Sequence, residues 1–90
     1  MHTIRPTSLF KKDIKKVEKQ GRDMEKLKVV IDTLANGKSL PSELRDHKLV
    51  GNWKNHRECH LQSDWLLIYK IIENSLILVR TGSHSELFQL

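Results

Sequence analysis

Ninety residues fit one domain, expected over 1–90, with a single modest core. A 38% hydrophobic and 30% charged composition is that of a globular chain rather than a disordered one. The single cysteine, Cys59, excludes an intrachain disulfide and a cysteine-rich zinc site, and a net charge of +5 favours a polyanionic partner. Met1 to Pro6 has no apolar signal core, and the apolar stretch Trp65 to Ile72 contains Lys70 and is too short to cross a bilayer. The expectation is a protein of the reducing cytoplasm with no membrane partner.

The first half predicts two helices after a short edge strand near His2 to Arg5. Thr7 or Ser8 can cap the first helix, in which Phe10, Ile14 and Val17 share one face. Lys11, Lys12, Lys15, Lys16 and Lys19 occupy the remainder, and Gly21 suits a left-handed stop. Asp23 can cap the second helix, whose Met24, Leu27, Ile31 and Leu34 form one stripe ending before Asn36-Gly37. So short a connection predicts an antiparallel helical hairpin. Lysines opposite an apolar stripe are usually a solvated face, although Lys11, Lys12 and Lys15 would also suit contact with RNA.

Lys38 to Trp53 breaks the periodicity with Pro41, Gly51 and scattered charges, as a long functional loop would. Three strands are predicted next: Lys54 to Leu61, Trp65 to Ile72 and Leu76 to Arg80. The turns Gln62-Ser63-Asp64 and Glu73-Asn74-Ser75 make an antiparallel meander. The fold class is therefore α+β, a two-helix hairpin packed on a small antiparallel sheet.

Four of the five histidines follow Gly37: His47, His56, His60 and His84. Strand alternation places His56, Glu58 and His60 on one face and Arg57, Cys59 and Leu61 on the other. A meander can bring Asp64, Arg80 and His84 to one sheet edge, with His47 laid over it from the loop. Cleavage of RNA by its own 2′-OH needs one proton removed, one donated and a cation for the charged transition state. Histidine, carboxylate and arginine supply these without a cofactor and leave a 2′,3′-cyclic phosphate. Taken singly, each residue also has an ordinary role: Asp64 as turn former, Arg80 as strand-end ion pair, Phe88 as core. His56-x-x-Cys59-His60 has the residue types of a metal site, but on a strand Cys59 points away from both histidines, so no metal is expected.

Read in order, Asp46-His47-Lys48-Leu49-Val50-Gly51-Asn52-Trp53, Arg57-Glu58-Cys59-His60, Asp64-Trp65-Leu66-Leu67-Ile68-Tyr69 and Arg80-Thr81-Gly82-Ser83-His84-Ser85-Glu86-Leu87-Phe88 closely resemble the YafQ branch of the RelE/ParE toxin superfamily. The resemblance implies a curved RelE-like sheet against two helices. It further implies a toxin that enters the ribosomal A site and cuts messenger RNA there, and that a cognate antitoxin neutralises, with a heterotetramer as one form of that complex. Carried over by position, it implies an active-site set of His47, His60, Asp64, Arg80, His84 and Phe88. In that set His84 and Asp64 lead proton transfer, His47 and His60 position substrate or share it, Arg80 holds the scissile phosphate and Phe88 orients a base. Trp65 adjoins the set and is expected to pack. Gln89-Leu90 extend beyond the phenylalanine that sits near the end of the resembled toxins. A gyrase poison of the ParE type would lack the His/Asp/Arg cluster. A non-catalytic binding module would not explain why histidines gather in the strand half while lysines gather in the helices.

Overall fold

The computed structural model describes residues 1–88, so the Gln89-Leu90 extension lies outside the described residues. Its elements are β1 (Thr3–Pro6), α1 (Ser8–Lys19), α2 (Met24–Ala35), β2 (His47–Lys48), β3 (Arg57–Gln62), β4 (Trp65–Ile72), β5 (Ser75–Gly82) and α3 (His84–Phe88). Thr7 caps α1 by accepting the N–H of Phe10 at 3.0 Å, and Asp23 caps α2 by accepting that of Lys26 at 3.3 Å. Gly21, at φ +75°, takes the left-handed conformation that ends α1.

The five strands lie in the order β1-β5-β4-β3-β2. β3, β4 and β5 form the expected antiparallel meander, but the sheet is mixed because β1 pairs in parallel with β5, Thr3 opposite Ser75 through Pro6 opposite Leu78. Thr7 fixes that arrangement by donating its hydroxyl to Val79 O at 2.7 Å while its own N–H reaches Leu78 O at 3.0 Å. The chain thus leaves β1 beside β5 and turns directly into α1. Beyond Leu78 the edge of β5 is left to α1 instead of a strand.

The periodic residues of the helices do what their spacing predicts. Phe10 and Val17 of α1, with Leu27, Val30, Leu34 and Ala35 of α2, are buried against Cys59, Leu61, Trp65, Leu67, Tyr69, Leu76 and Leu78 of the sheet. Ile14, Met24 and Ile31 are half-buried at the margin of the same core. β4 is apolar on its other side as well, and there Leu66 and Ile68 pack with Leu87 under Leu49, Trp53 and Phe88. That second cluster needs a cover, which α3 and the loop before β3 provide.

Two segments depart from the sequence reading. The stretch expected to be irregular contains the two-residue strand β2, with His47 opposite Glu58 and Lys48 opposite Arg57. β3 starts at Arg57 rather than Lys54, so His56 does not share the strand face of Glu58 and His60. Its ring meets Trp53 edge-on, with centroids 5.4 Å apart.

Candidate active site

Asp64 turns the corner between β3 and β4, and His84 opens α3 just beyond β5. Asp64 Oδ1 accepts two hydrogen bonds from His84, one from the backbone N–H at 3.1 Å and one from the ring Nδ1 at 3.2 Å. The backbone N–H and then the ring hold the Asp64 carboxyl below the usual aspartate range. A carboxylate only accepts, so Nδ1 carries the proton, and Nε2 keeps its lone pair in the neutral ring. Nε2 has no partner among the described residues. A proton can therefore enter or leave His84 at one defined atom.

α3 is held by a motif present in the sequence but not singled out there, Ser83-His84-Ser85-Glu86. Ser83 Oγ accepts from Glu86 N at 3.2 Å, and Glu86 Oε1 accepts from Ser83 N at 2.9 Å, a reciprocal capping box. Lys16 of α1 adds an ion pair to Glu86 at 2.6 Å, and Gln20 donates to it at 3.3 Å. Lys16 first, then Ser83, pull the Glu86 carboxyl down to about 2. The helix that presents His84 and Phe88 is thereby tied to the helical layer.

His47 and His60 converge on Glu58, which the sequence reading sets on the face of His60 but gives no role in the site. Glu58 is only 5% exposed. Its Oε2 faces Nε2 of His47 at 3.2 Å and Nε2 of His60 at 3.3 Å. Arg45 meets Nδ1 of His60 at 3.3 Å, so the neutral Nε2–H tautomer satisfies both sides of that ring at once. Burial first, and the Arg45 guanidinium next, lower the His60 pKa. His47 Nδ1 donates to Arg45 O at 2.7 Å, and the two rings stack with centroids 6.0 Å apart. His60 is thus committed to its neighbours, whereas His84 keeps an open nitrogen. The alternation that placed Glu58 beside His60 was a usable signal, but nothing in two residues of β2 announces a strand.

The three donor atoms of His47, Glu58 and His60 lie within 4.8 Å of one another. Two imidazoles and a carboxylate suit a borderline divalent cation, for which they would supply a Lewis-acid position beside His84. This trio differs from the one weighed in the sequence. Cys59 does point away as expected, and burial pushes its thiol up to about 12. His47 instead comes across from β2.

Arg80 pairs with Ile68 in the register and so belongs to the face that carries Glu58. Its Nε and one terminal nitrogen donate to Asp13 of α1, each at 2.9 Å, and Asp13 also accepts the N–H of Thr81 at 3.2 Å. The guanidinium therefore arrives oriented by a buried carboxylate. Asp13 sits on the apolar side of α1, and its partner lies 67 residues away, so its role is invisible in sequence. Lys11, Lys12 and Lys15 are exposed on α1 and form no hydrogen bond or ion pair with the histidine cluster among the described residues.

Phe88 is half-buried, with its ring 6.2 Å from that of His84 and 5.8 Å from that of Trp53. Trp65 is fully buried and donates its indole N–H to Thr81 at 2.9 Å, which is the packing role expected of it. Asp46 precedes His47 and is anchored by the Tyr69 hydroxyl at 2.7 Å and by Arg57 Nε at 3.1 Å. His47 is thus carried on a fixed stretch of chain.

Residues 2–89 match the model of a family described as a bacterial toxin of type II toxin–antitoxin systems, YafQ. The mRNA interferase toxin YafQ of Escherichia coli strain K12 is 42% identical over 80 residues, covering 88% of this chain and 87% of that protein. The toxin in the crystal structure of the E. coli DinJ–YafQ complex superposes with a TM-score of 0.90 at 39% identity, over 98% of this chain and 99% of that one. A metal-bound toxin from Helicobacter pylori superposes with a TM-score of 0.92 at 48% identity, over 98% of this chain and all (100%) of that one.

Proposed function

The chain belongs to the YafQ family of bacterial type II toxins, and from that premise we propose that it is an endoribonuclease cutting messenger RNA in the ribosomal A site. The observation that carries this reading is the Asp64–His84 pair, which leaves one imidazole nitrogen open to move a proton at the sheet edge. His84 exchanges protons with the ribose 2′-OH or the leaving 5′-oxygen, and Asp64 fixes its tautomer and balances the imidazolium form. Attack of the 2′-oxygen on phosphorus breaks the bond to the 5′-oxygen and leaves a 2′,3′-cyclic phosphate. Arg80, aimed by Asp13, stabilises the charge that builds on the phosphorus oxygens. His60, neutral and held from both sides, positions substrate together with His47. Phe88 orients a base, while Lys11, Lys12 and Lys15 hold RNA backbone.

No step in this scheme passes through a metal, even though His47, Glu58 and His60 could hold one. The ribosome places the messenger against the pair, which explains why so open a site suffices. The chain acts in the cytoplasm and is silenced by a cognate antitoxin, in a heterotetramer or a smaller complex.

Single-turnover cleavage of one message, free and on translating ribosomes, tests the reading. Efficient cleavage is expected only on the ribosome, unchanged by EDTA. His84→Ala should slow it by about 10²-fold or more. Equal rates on free and bound message would overturn the ribosome dependence, loss in EDTA the metal-free mechanism, and full activity of His84→Ala the site.

A further inference from the structure

A row of aromatic rings crosses the open side of the sheet. His47 stacks on His60 with centroids 6.0 Å apart, and His60 meets His84 at a tilt at 5.7 Å. His84 meets Phe88 at 6.2 Å, Phe88 meets Trp53 at 5.8 Å, and Trp53 meets His56 at 5.4 Å. His56 ends the row at the wall of a groove of about 760 Å³. Lys48, Lys54, Arg57 and Lys70 line that groove, with Leu49 and Ile71 between them, and no carboxylate lines it among the described residues. Arg57 spends its Nε on Asp46, while Lys48, Lys54 and Lys70 form no ion pair among the described residues. Lys48 directly follows His47, so the groove and the histidine cluster share strand β2.

Resting on the reading above, we propose that this groove is a second RNA subsite, which holds the messenger strand on one side of the cut bond. Its phosphates lie against Lys48, Lys54 and Lys70, and a base stacks on the Trp53–His56 pair. Unpaired RNA is bound sequence-tolerantly where cations track the backbone and rings receive bases; here the rings run from His84 to His56, and His56 lines the groove together with the cations. An acidic protein segment would satisfy the cations but offer the Trp53–His56 pair no base to receive.

Fluorescence gives a direct test, because Trp65 is fully buried and Trp53 is half-exposed, so a bound ligand changes the emission of Trp53. A short oligouridylate carrying 2′-O-methyl groups, which cannot be cleaved, should quench Trp53 and bind more weakly as salt rises. Replacing Lys48, Lys54 and Lys70 together by alanine should weaken binding about tenfold or more and flatten the slope of log K against log salt by about 2, at roughly 0.7 for each phosphate no longer neutralised. Thermal unfolding checks that the variant stays folded. Unchanged affinity and slope would overturn the subsite, as would equally tight binding and equal quenching by a poly-glutamate peptide.

The second measurement separates messenger from ribosomal RNA. Single-turnover cleavage on ribosomes is compared for a full message and for messages truncated on either side of the cut. The lysine substitutions should slow cleavage of the full message and lose their effect once the strand on one side is removed, a coupling expected only for groups that touch. The same loss on every message would assign the groove to ribosomal RNA and overturn the proposal. If the wild-type chain cleaves nothing, the nuclease reading fails, while the oligouridylate titration still decides whether the groove binds RNA.

Discussion

Asp13 and Arg80, 67 residues apart, meet in two parallel hydrogen bonds of 2.9 Å, and the same carboxylate takes the N–H of Thr81 at 3.2 Å. Their side chains are 10% and 25% exposed, so the pair is more shielded than a surface salt bridge. The link fastens α1 to the stretch of β5 that β1 leaves uncovered, and it also sets the plane of the guanidinium. Asp13→Ala leaves a largely buried cation and a backbone N–H without their acceptor. It should destabilise the domain by about 2–3 kcal/mol, or lower Tm by roughly 10 °C or more. Urea and thermal unfolding check this, and an unchanged midpoint would show that the pair contributes nothing net. Arg80→Lys, a point charge without the fork, should keep most of the stability but lose cleavage.

The Asp64–His84 pair allows charge and orientation to be separated. Asp64→Asn keeps an oxygen that can accept from both His84 donors but removes the negative charge. If Asp64 stabilises the imidazolium form, cleavage should fall about tenfold or more while unfolding is little changed. Asp64→Ala removes the oxygen too and should be worse. Equal activity of Asp64→Asn and the unaltered chain, in single-turnover cleavage, would reduce Asp64 to a turn former.

Much of this was legible in the residues. The i, i+4, i+7 spacings of Phe10, Ile14 and Val17 and of Leu27, Ile31 and Leu34 marked the helices, and two polar turns marked the meander that joins Asp64 to His84. Local patterns carry that information because it is local. Glu58, placed on the His60 face, was given no role because its meaning depends on His47 crossing from a two-residue strand, too short to show alternation. Asp13 escaped notice for a related reason: a carboxylate on an apolar helix face has no sense until its distant arginine is placed. His56 does not keep the β3 face that alternation gives it, because β3 begins only at Arg57, not Lys54, and the His56 ring goes to Trp53 instead. The parallel pairing of β1 likewise depends on where Thr7 is anchored, which no periodicity reports.

The capping box gives a third prediction. Glu86 satisfies Ser83 N and holds Lys16 and Gln20, so it sets both the start of α3 and the distance of α3 from α1. Glu86→Ala should cost about 1 kcal/mol, the usual value of a lost cap. Its effect on cleavage should be larger than that suggests, because His84 and Phe88 ride on the same short helix. Proteolysis of the C-terminal segment and single-turnover cleavage check the two parts. A variant with native activity would show that α3 is positioned by Leu87 packing alone.

The fourth prediction follows from two groups whose pKa values are displaced for different reasons. Glu58, Arg45, His84 and His47 face His60, and burial with Arg45 outweighs the attraction of Glu58, so its folded pKa is lowered. The unfolded chain, with an ordinary histidine near about 6.5, then binds the proton more readily than the folded one. Stability from His60 is therefore fully present above about 6.5 and is lost as pH falls from there through the lowered folded value. Glu86, near 2 when folded, contributes stability that is present above its usual 4.5 and is lost as pH falls towards 2. Urea midpoints measured from neutral to acidic pH should accordingly decline in two separate steps. His60→Gln keeps a donor for Glu58 and an acceptor for Arg45 but cannot titrate, so it should remove the upper step and spare the lower. Glu86→Gln should do the reverse. If the upper step survives His60→Gln unchanged, another histidine of the cluster carries it, and the neutral, doubly held His60 is the wrong account of the site.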